Sequence, residues 1–276
     1  MQVTFSKMHG LGNDFVIIDA VTQAISLTGE QVRRLADRRF GIGCDQVLVV
    51  ESAHGTKADF GFRIYNRDGS EAEQCGNGAR CLARFLHHRK LTAKSELHIE
   101  APTGPLVLYL EPDGQVTVDM GVPRLEPDDI PFTADRRQLD YELELDDQAV
   151  KIGAVSMGNP HAVLRVPSVA SAPVTEWGPG IESHPRFPRG VNVGFMEIVD
   201  RQHIRLRVFE RGAGETKACG SGACAAVVVG RLQELLDPQV TVSLPGGDLV
   251  VSWAMGVGSV TMKGPAAHVF EGHISL

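Results

Sequence analysis

A chain of 276 residues is long for one hydrophobic core and comfortable for two domains. Hydrophobic residues at 43% and charged residues at 22% are the values of an ordinary soluble globular protein, and no run approaches the roughly 18 unbroken apolar residues of a membrane span. Lys+Arg 27 against Asp+Glu 34 leaves a net charge of −7, which does not suit a dedicated nucleic-acid binder with a basic face.

Along the chain, residues 1–10 carry polar Gln2, Thr4, Ser6 and Lys7 and lack the apolar stretch of a signal peptide, so a cytoplasmic protein is expected. Thr28 and Gln31 form a T-x-x-Q capping box and predict a helix start there. Alternating or apolar β-type runs occupy 15–19, 47–51, 60–65, 97–101, 106–110 and 116–120. A second series lies at 149–152, 162–166, 193–199, 204–209, 240–244, 249–253 and 260–263. Two further helices are predicted at 79–89 and 223–236; small and apolar residues nearly all round each argue for helices buried inside β-structure. The acidic, Pro-rich stretch 121–131 reads as the link between halves, 1–118 and 119–263, with 264–276 packing back on the first.

The halves share one phrase: Cys75-Gly76-Asn77-Gly78-Ala79 and Cys219-Gly220-Ser221-Gly222-Ala223, 144 residues apart. More recurs around it. Gly12-Asn13 matches Gly158-Asn159, Gln46 matches Asn192, and Asn66-Arg67 matches Glu210-Arg211 nine residues before each thiol. A cysteine opening a helix sits against unpaired N–H groups and a partial positive charge, which favour thiolate and can hold a carboxylate. Two such thiols facing one α-carbon could remove a proton from one face and return it to the other. His161 offers a proton acceptor, Glu210 a partner for an ammonium or a thiol, and Arg211 a fork for a carboxylate. Each also has a plain structural reading: a turn histidine, a solvated strand end, and turn formers at Asn13, Asn66 and Asn192.

Five cysteines with no secretion signal argue against a disulfide framework. The spacings C-x5-C and C-x4-C do not fit zinc pairs, C-x-x-C is absent, and no metal site is expected. Cys44, Cys81 and Cys224 read as packing residues, and Asp14, Asp68 and Lys217 as structural or surface ones. Neither a Rossmann nor a P-loop motif is present.

Six stretches together carry a resemblance: Lys7-Met8-His9-Gly10-Leu11-Gly12-Asn13-Asp14-Phe15, Asn66-Arg67-Asp68-Gly69-Ser70-Glu71, Gln74-Cys75-Gly76-Asn77-Gly78-Ala79-Arg80-Cys81, Met157-Gly158-Asn159-Pro160-His161, Glu210-Arg211-Gly212-Ala213-Gly214-Glu215-Thr216 and Ala218-Cys219-Gly220-Ser221-Gly222-Ala223. From end to end the chain resembles the diaminopimelate epimerase family. The resemblance implies an α/β (α+β) fold of two pseudo-symmetric domains, each a β-barrel-like sheet around a central helix, with the active site in the cleft between. It implies cofactor-independent interconversion of LL- and meso-2,6-diaminopimelate, in lysine and peptidoglycan precursor synthesis. Cys75 and Cys219 would be the acid/base thiols, assisted by His161 and Glu210. Asn13, Gln46, Asn66, Asn159, Asn192, Glu210 and Arg211 would bind substrate, with Gly76, Asn77, Gly220 and Ser221 holding the reacting carboxylate. A homodimer is implied, with Phe270 at its contact, and neither a nucleic-acid nor a membrane partner. The alternatives are a proline or hydroxyproline racemase on the same scaffold and a non-enzymatic ligand-binding or thiol-sensing protein.

Overall fold

The structure is a computed structural model and describes the chain except residues 1, 56, 73–75, 103 and 146–147. The chain divides into two compact units, Met1–Asp119 with Lys263–Leu276, and Met120–Met262.

The first unit contains β1 (Gln2–Gly10), β2 (Asn13–Asp19), α1 (Gly29–Ala36), β3 (Gln46–Ser52), β4 (Phe60–Asn66), β5 (Glu71–Ala72), α2 (Gly76–His88), β6 (Glu96–Ala101), β7 (Gly104–Leu110) and β8 (Val116–Asp119). The second contains β9 (Tyr141–Leu145), β10 (Gln148–Ser156), β11 (Pro160–Arg165), α3 (Val174–Glu182), β12 (Asn192–Asp200), β13 (His203–Glu210), β14 (Gly214–Thr216), α4 (Gly220–Leu232), β15 (Gln239–Leu244) and β16 (Gly247–Ser252). The short β17 (Thr261–Gly264) leads back to β18 (Ala267–Ser275), which lies antiparallel to β1.

Each unit wraps its sheet around one helix. α2 packs against β1, β2, β7 and β8, and α4 against β10, β11, β12, β13 and β16. The sequence explains why: Ala79, Cys81, Leu82, Ala83, Phe85 and Leu86 of α2, and the run Ala223–Val229 of α4, are buried, so neither helix has a wet face along its middle. α1 is different. The Thr28–Gln31 capping box forms in both directions and only Val32, Leu35 and Ala36 are buried, so α1 is an amphipathic helix on a sheet face.

The duplication is visible in register. β2 and β3 run parallel with Phe15 opposite Gln46, and β11 and β12 run parallel with His161 opposite Asn192. β4 meets β5 with Ile64 opposite Ala72, and β13 meets β14 with Val208 opposite Thr216. The parallel pairs β4–β6 and β13–β15 and the hairpins β6–β7 and β15–β16 repeat in the same order.

Several sequence expectations need correction. Both central helices begin three residues earlier than expected, at Gly76 and Gly220, because the roughly 1 kcal/mol a glycine costs a helix is outweighed by the packing of the turns that follow; α4 also ends at Leu232 rather than 236. The stretch 121–131 lies just past the unit boundary at Asp119, and its packing is what the sequence does not show. Ile130 is fully buried, and Phe132 just beyond stacks on Phe187 at 4.5 Å inside the second core. α3 was hidden by Gly178-Pro179-Gly180. It forms against β13, where a Cβ on Gly178 would stand only 2.6 Å from the Phe209 ring. β1, β9 and β18 also escaped notice. In β1 the polar Ser6 and Lys7 are buried, which breaks the alternation that marks a half-wet strand.

Candidate active site

In the second unit the expected residues gather at one end of β11, β12 and β13 and at the first turn of α4. Cys219 is the N-cap residue of α4, in extended backbone (φ −120°, ψ 110°), and is 4% exposed. Its Sγ lies 3.7 Å from Ser221 Oγ. A Cβ on Gly222 would stand 3.3 Å from that sulfur, so glycine there lets the helix N–H groups close on the thiol. Burial pushes the Cys219 thiol well above its usual range, and the neighbouring Glu210 carboxylate pushes it further; the hydrogen bonds from the Gly222 N–H and from Ser221 oppose this without winning. A helix N-terminus alone argues for thiolate, so the structure corrects that expectation: Cys219 rests as the protonated thiol.

Glu210, the last residue of β13, accepts a 2.5 Å hydrogen bond from Thr216 Oγ1. His161 is 1% exposed in β11, so it is not a turn histidine. Its Nε2 donates to Asn159 Oδ1 at 3.0 Å, which leaves Nδ1 with its lone pair. Burial, and then the charge of Arg211, lower the His161 pKa to about 3. The imidazole is therefore neutral at physiological pH, a hydrogen-bond partner and proton acceptor rather than a group titrating near neutrality. Asn192 is buried and donates to the Pro160 carbonyl at 3.0 Å while its Oδ1 accepts the Arg211 backbone N–H at 3.1 Å. The Arg211 side chain is exposed and donates to the Arg189 carbonyl at 2.9 Å.

In the first unit Cys75 lies outside the described residues, and α2 begins at the next residue, Gly76. Gln46 Nε2 donates to Asn66 Oδ1 at 3.0 Å, and Asn66 Nδ2 to Ser70 Oγ at 3.2 Å. Asn77 is buried in the first turn of α2, and its Nδ2 donates to Asn13 Oδ1 at 3.3 Å. Asn13 Nδ2 in turn reaches Asp45 Oδ2 at 3.3 Å. Asp14 holds Lys7 at 2.6 Å and Arg38 at 2.7 Å; burial alone would raise its pKa, but the two cations hold the carboxyl well below the usual range. Sequence reasoning treated Asp14 as structural and passed over Asp45 and Arg80. Arg80 stands one helical turn from Asn77, the i,i+3 spacing that puts two side chains on one face, and that was the available signal.

Cys44, Cys81 and Cys224 are fully buried, and burial pushes Cys44 up to about 11, as suits packing residues. Among the described residues His88, His268 and Glu271 bring possible metal-ligand atoms within 4.8 Å of one another. Arg89 Nη1 stands 3.4 Å from the same Glu271 oxygen, so a cation already faces it and the trio fits an ion-pair cluster better than a metal site.

Phe270 of β18 is 46% exposed and meets Phe5 edge-on at 6.0 Å. No helix among the described residues is long and apolar enough to cross a membrane.

A family model described as diaminopimelate epimerase matches residues 5–126 and 153–269. The chain is 60% identical over 278 residues to the diaminopimelate epimerase of Thioalkalivibrio sulfidiphilus, covering 100% of both. It is 56% identical over 276 residues to that of Azotobacter vinelandii, again covering 100% of both. Among solved structures, a hydroxyproline epimerase from Agrobacterium vitis with bound trans-4-OH-L-proline is similar at TM-score 0.72 and 16% identity, over 100% of this chain and 93% of that one. A phenazine biosynthesis protein of the PhzF family from Bacillus anthracis is similar at TM-score 0.72 and 19% identity over 100% of both. At those identities the two structures show a shared fold alone.

Proposed function

This chain belongs to the diaminopimelate epimerase family, and we propose that it interconverts LL- and meso-2,6-diaminopimelate in the cytoplasm, without a cofactor, for lysine and peptidoglycan precursor synthesis. The reaction moves one proton. Cys75, as thiolate, takes the α-proton, and the electron pair of the broken C–H bond is left on the α-carbon and its carboxylate. The Cys219 thiol then delivers a proton to the opposite face, so that Cys75 ends as thiol and Cys219 as thiolate. The return reaction runs from that state.

The observation that carries this reading is the place of Cys219: a buried thiol beside Glu210, at a helix N-terminus whose N–H groups suit a carboxylate. An acid at that carbon needs a base opposite, and the matched phrase supplies Cys75. Neutral His161 and Glu210 assist the proton movements. Gly76, Asn77, Gly220 and Ser221 hold the reacting carboxylate. Asn13, Gln46, Asn66, Asn159, Asn192, Glu210 and Arg211 serve the rest of the substrate, whose distal amino-acid group has to be recognised as L. A second copy of the chain meets the exposed ring of Phe270 in a homodimer, and Phe270→Ala shifts the protein toward monomer in sedimentation.

A proline or hydroxyproline racemase is the second reading, favoured by the fold shared with the hydroxyproline epimerase. Chiral chromatography after incubation with LL-diaminopimelate, L-proline or trans-4-hydroxy-L-proline separates the two. Appearance of the meso isomer, with no inversion of either proline, supports the first reading; inversion of a proline with diaminopimelate untouched replaces it with the second.

A further inference from the structure

Arg80 is the largest of the fully buried side chains, in the second turn of α2, and the reaction as described makes no use of it. Its Nη2 donates to Asn77 Oδ1 at 2.8 Å, its Nη1 lies 3.5 Å from the Gly76 carbonyl oxygen and its Nε donates to the Pro265 carbonyl at 3.2 Å. The contacts then run onward from Asn77 to Asn13 and from Asn13 to Asp45. A guanidinium only donates and a carboxylate only accepts. With Arg80 at one end and Asp45 at the other, neither amide between them can turn over without setting donor against donor or acceptor against acceptor. Arg38 Nη2, 2.8 Å from Asp45 Oδ1, and the Asp14 N–H, 3.1 Å from Oδ2, hold the far end in place. Gly10 closes over the near end, where a Cβ would stand 3.2 Å from Nη2 and 3.3 Å from Asn77 Cβ.

The second unit is an internal control. The residue matching Arg80 is Cys224, and Val191 precedes Asn192 as Asp45 precedes Gln46. Both are fully buried and apolar. The same strand–helix arrangement is built there with neither the cation nor the anion, so the fold itself does not require the pair.

We infer that Arg80 is a positioning residue for the substrate carboxylate, fixing the Asn77 and Asn13 amides in one orientation and placing a buried positive charge behind the first turn of α2. The inference rests on the reading that Asn77 and Asn13 touch substrate. The carboxylate is already an anion in the ground state and gains a smaller further share of charge as the α-proton leaves, so the loss appears chiefly in KM with a lesser fall in kcat.

Steady-state kinetics with LL-diaminopimelate test this. Arg80→Met raises KM about tenfold with kcat within about threefold, as for one lost charge-assisted contact. Arg80→Lys, which keeps the charge and loses the fork, recovers part of that loss. On an Asn77→Ala background, Arg80→Met adds less than about twofold, because the two act through one contact. A folded Arg80→Met with unchanged KM, where Asn77→Ala raises KM, overturns the role of Arg80 and leaves the site reading intact. Unchanged KM in Asn77→Ala overturns the site reading itself. If Arg80→Met does not fold, Asp45→Asn decides: the partly exposed far end of the chain of contacts loses its acceptor-only character, and KM rises about threefold if the inference holds and stays unchanged if it fails.

Discussion

The two units share a skeleton and differ in charge. Parallel strand pair, antiparallel return, short strand and buried helix follow in the same order in both. Around the helix starts the side chains diverge. The first unit has an amide, Asn66, where the second has the carboxylate Glu210, and a buried cation, Arg80, where the second has Cys224. Desolvation around Cys219, and then the negative charge beside it, raise that thiol's pKa and favour its acid form. The first unit carries a cation and a neutral amide at the matching positions. The duplication thus supplies two matching thiol positions in the sequence, and divergence at the neighbouring positions puts a carboxylate beside Cys219 that raises its proton affinity.

The most direct way to break this comparison is to remove a thiol. Cys219→Ala lowers kcat/KM for LL-diaminopimelate by about a thousandfold or more, and Cys75→Ala does the same, since in the proposed scheme each removes a proton carrier; retention of a tenth of the activity in either, followed by chiral chromatography, contradicts a two-base scheme. Next in size is the charge beside the acid. Glu210→Gln takes away a carboxylate that raises the Cys219 pKa, so alkylation of Cys219 in a Cys75→Ala background starts at lower pH than in the same background with Glu210. Turnover falls about a hundredfold. An unmoved alkylation profile detaches Glu210 from the thiol.

His161 sharpens the comparison through stability. In the unfolded chain its imidazole titrates near 6.5, and in the fold it stays neutral down to about 3. Between those values the unfolded state binds more protons, so stability rises with pH across the window and is lost as acid is added. His161→Asn removes that contribution, and its Tm changes less than that of the wild type between pH 7 and pH 4.5. A Tm gap as wide as before refutes the buried neutral state. The smallest effect is expected at Cys44. Cys44→Ala leaves kcat unchanged and lowers Tm by about 2–4 °C through a small cavity in the first core.

The skeleton was legible because its signals are local. β-branched runs mark β3 and β12, the Thr28–Gln31 box marks α1, and residues apolar on every side mark α4 as a buried helix. What stayed hidden depends on partners distant in sequence. β1 reads as polar until β2 and β18 pair with it on both edges, and the breakers inside α3 are tolerated only because Phe209 packs onto Gly178. The candidate residues of the second unit could be named from the repeated phrase, and the strands do bring His161, Asn192 and Glu210 to one end of the sheet. Their protonation states could not be read, because they follow from burial. A histidine free to titrate by its type is locked neutral, and a thiol favoured as thiolate by its helix is held as thiol by its surroundings. Arg80 was overlooked for a similar reason. A charge in a helix looks like a wet face until the fold closes over it.

The central claim is that two different groups handle the proton, and deuterium tests it most directly. Reduced protein and LL-diaminopimelate are mixed in deuterium oxide, and both isomers are recovered at early conversion for proton NMR. The account predicts deuterium at one α-carbon of the meso product and almost none in the remaining LL substrate, because the thiol that takes the proton is not the one that gives the deuteron. Equal deuterium in substrate and product would mean that a single base exchanges with solvent and protonates both faces, and the two-thiol account would fall.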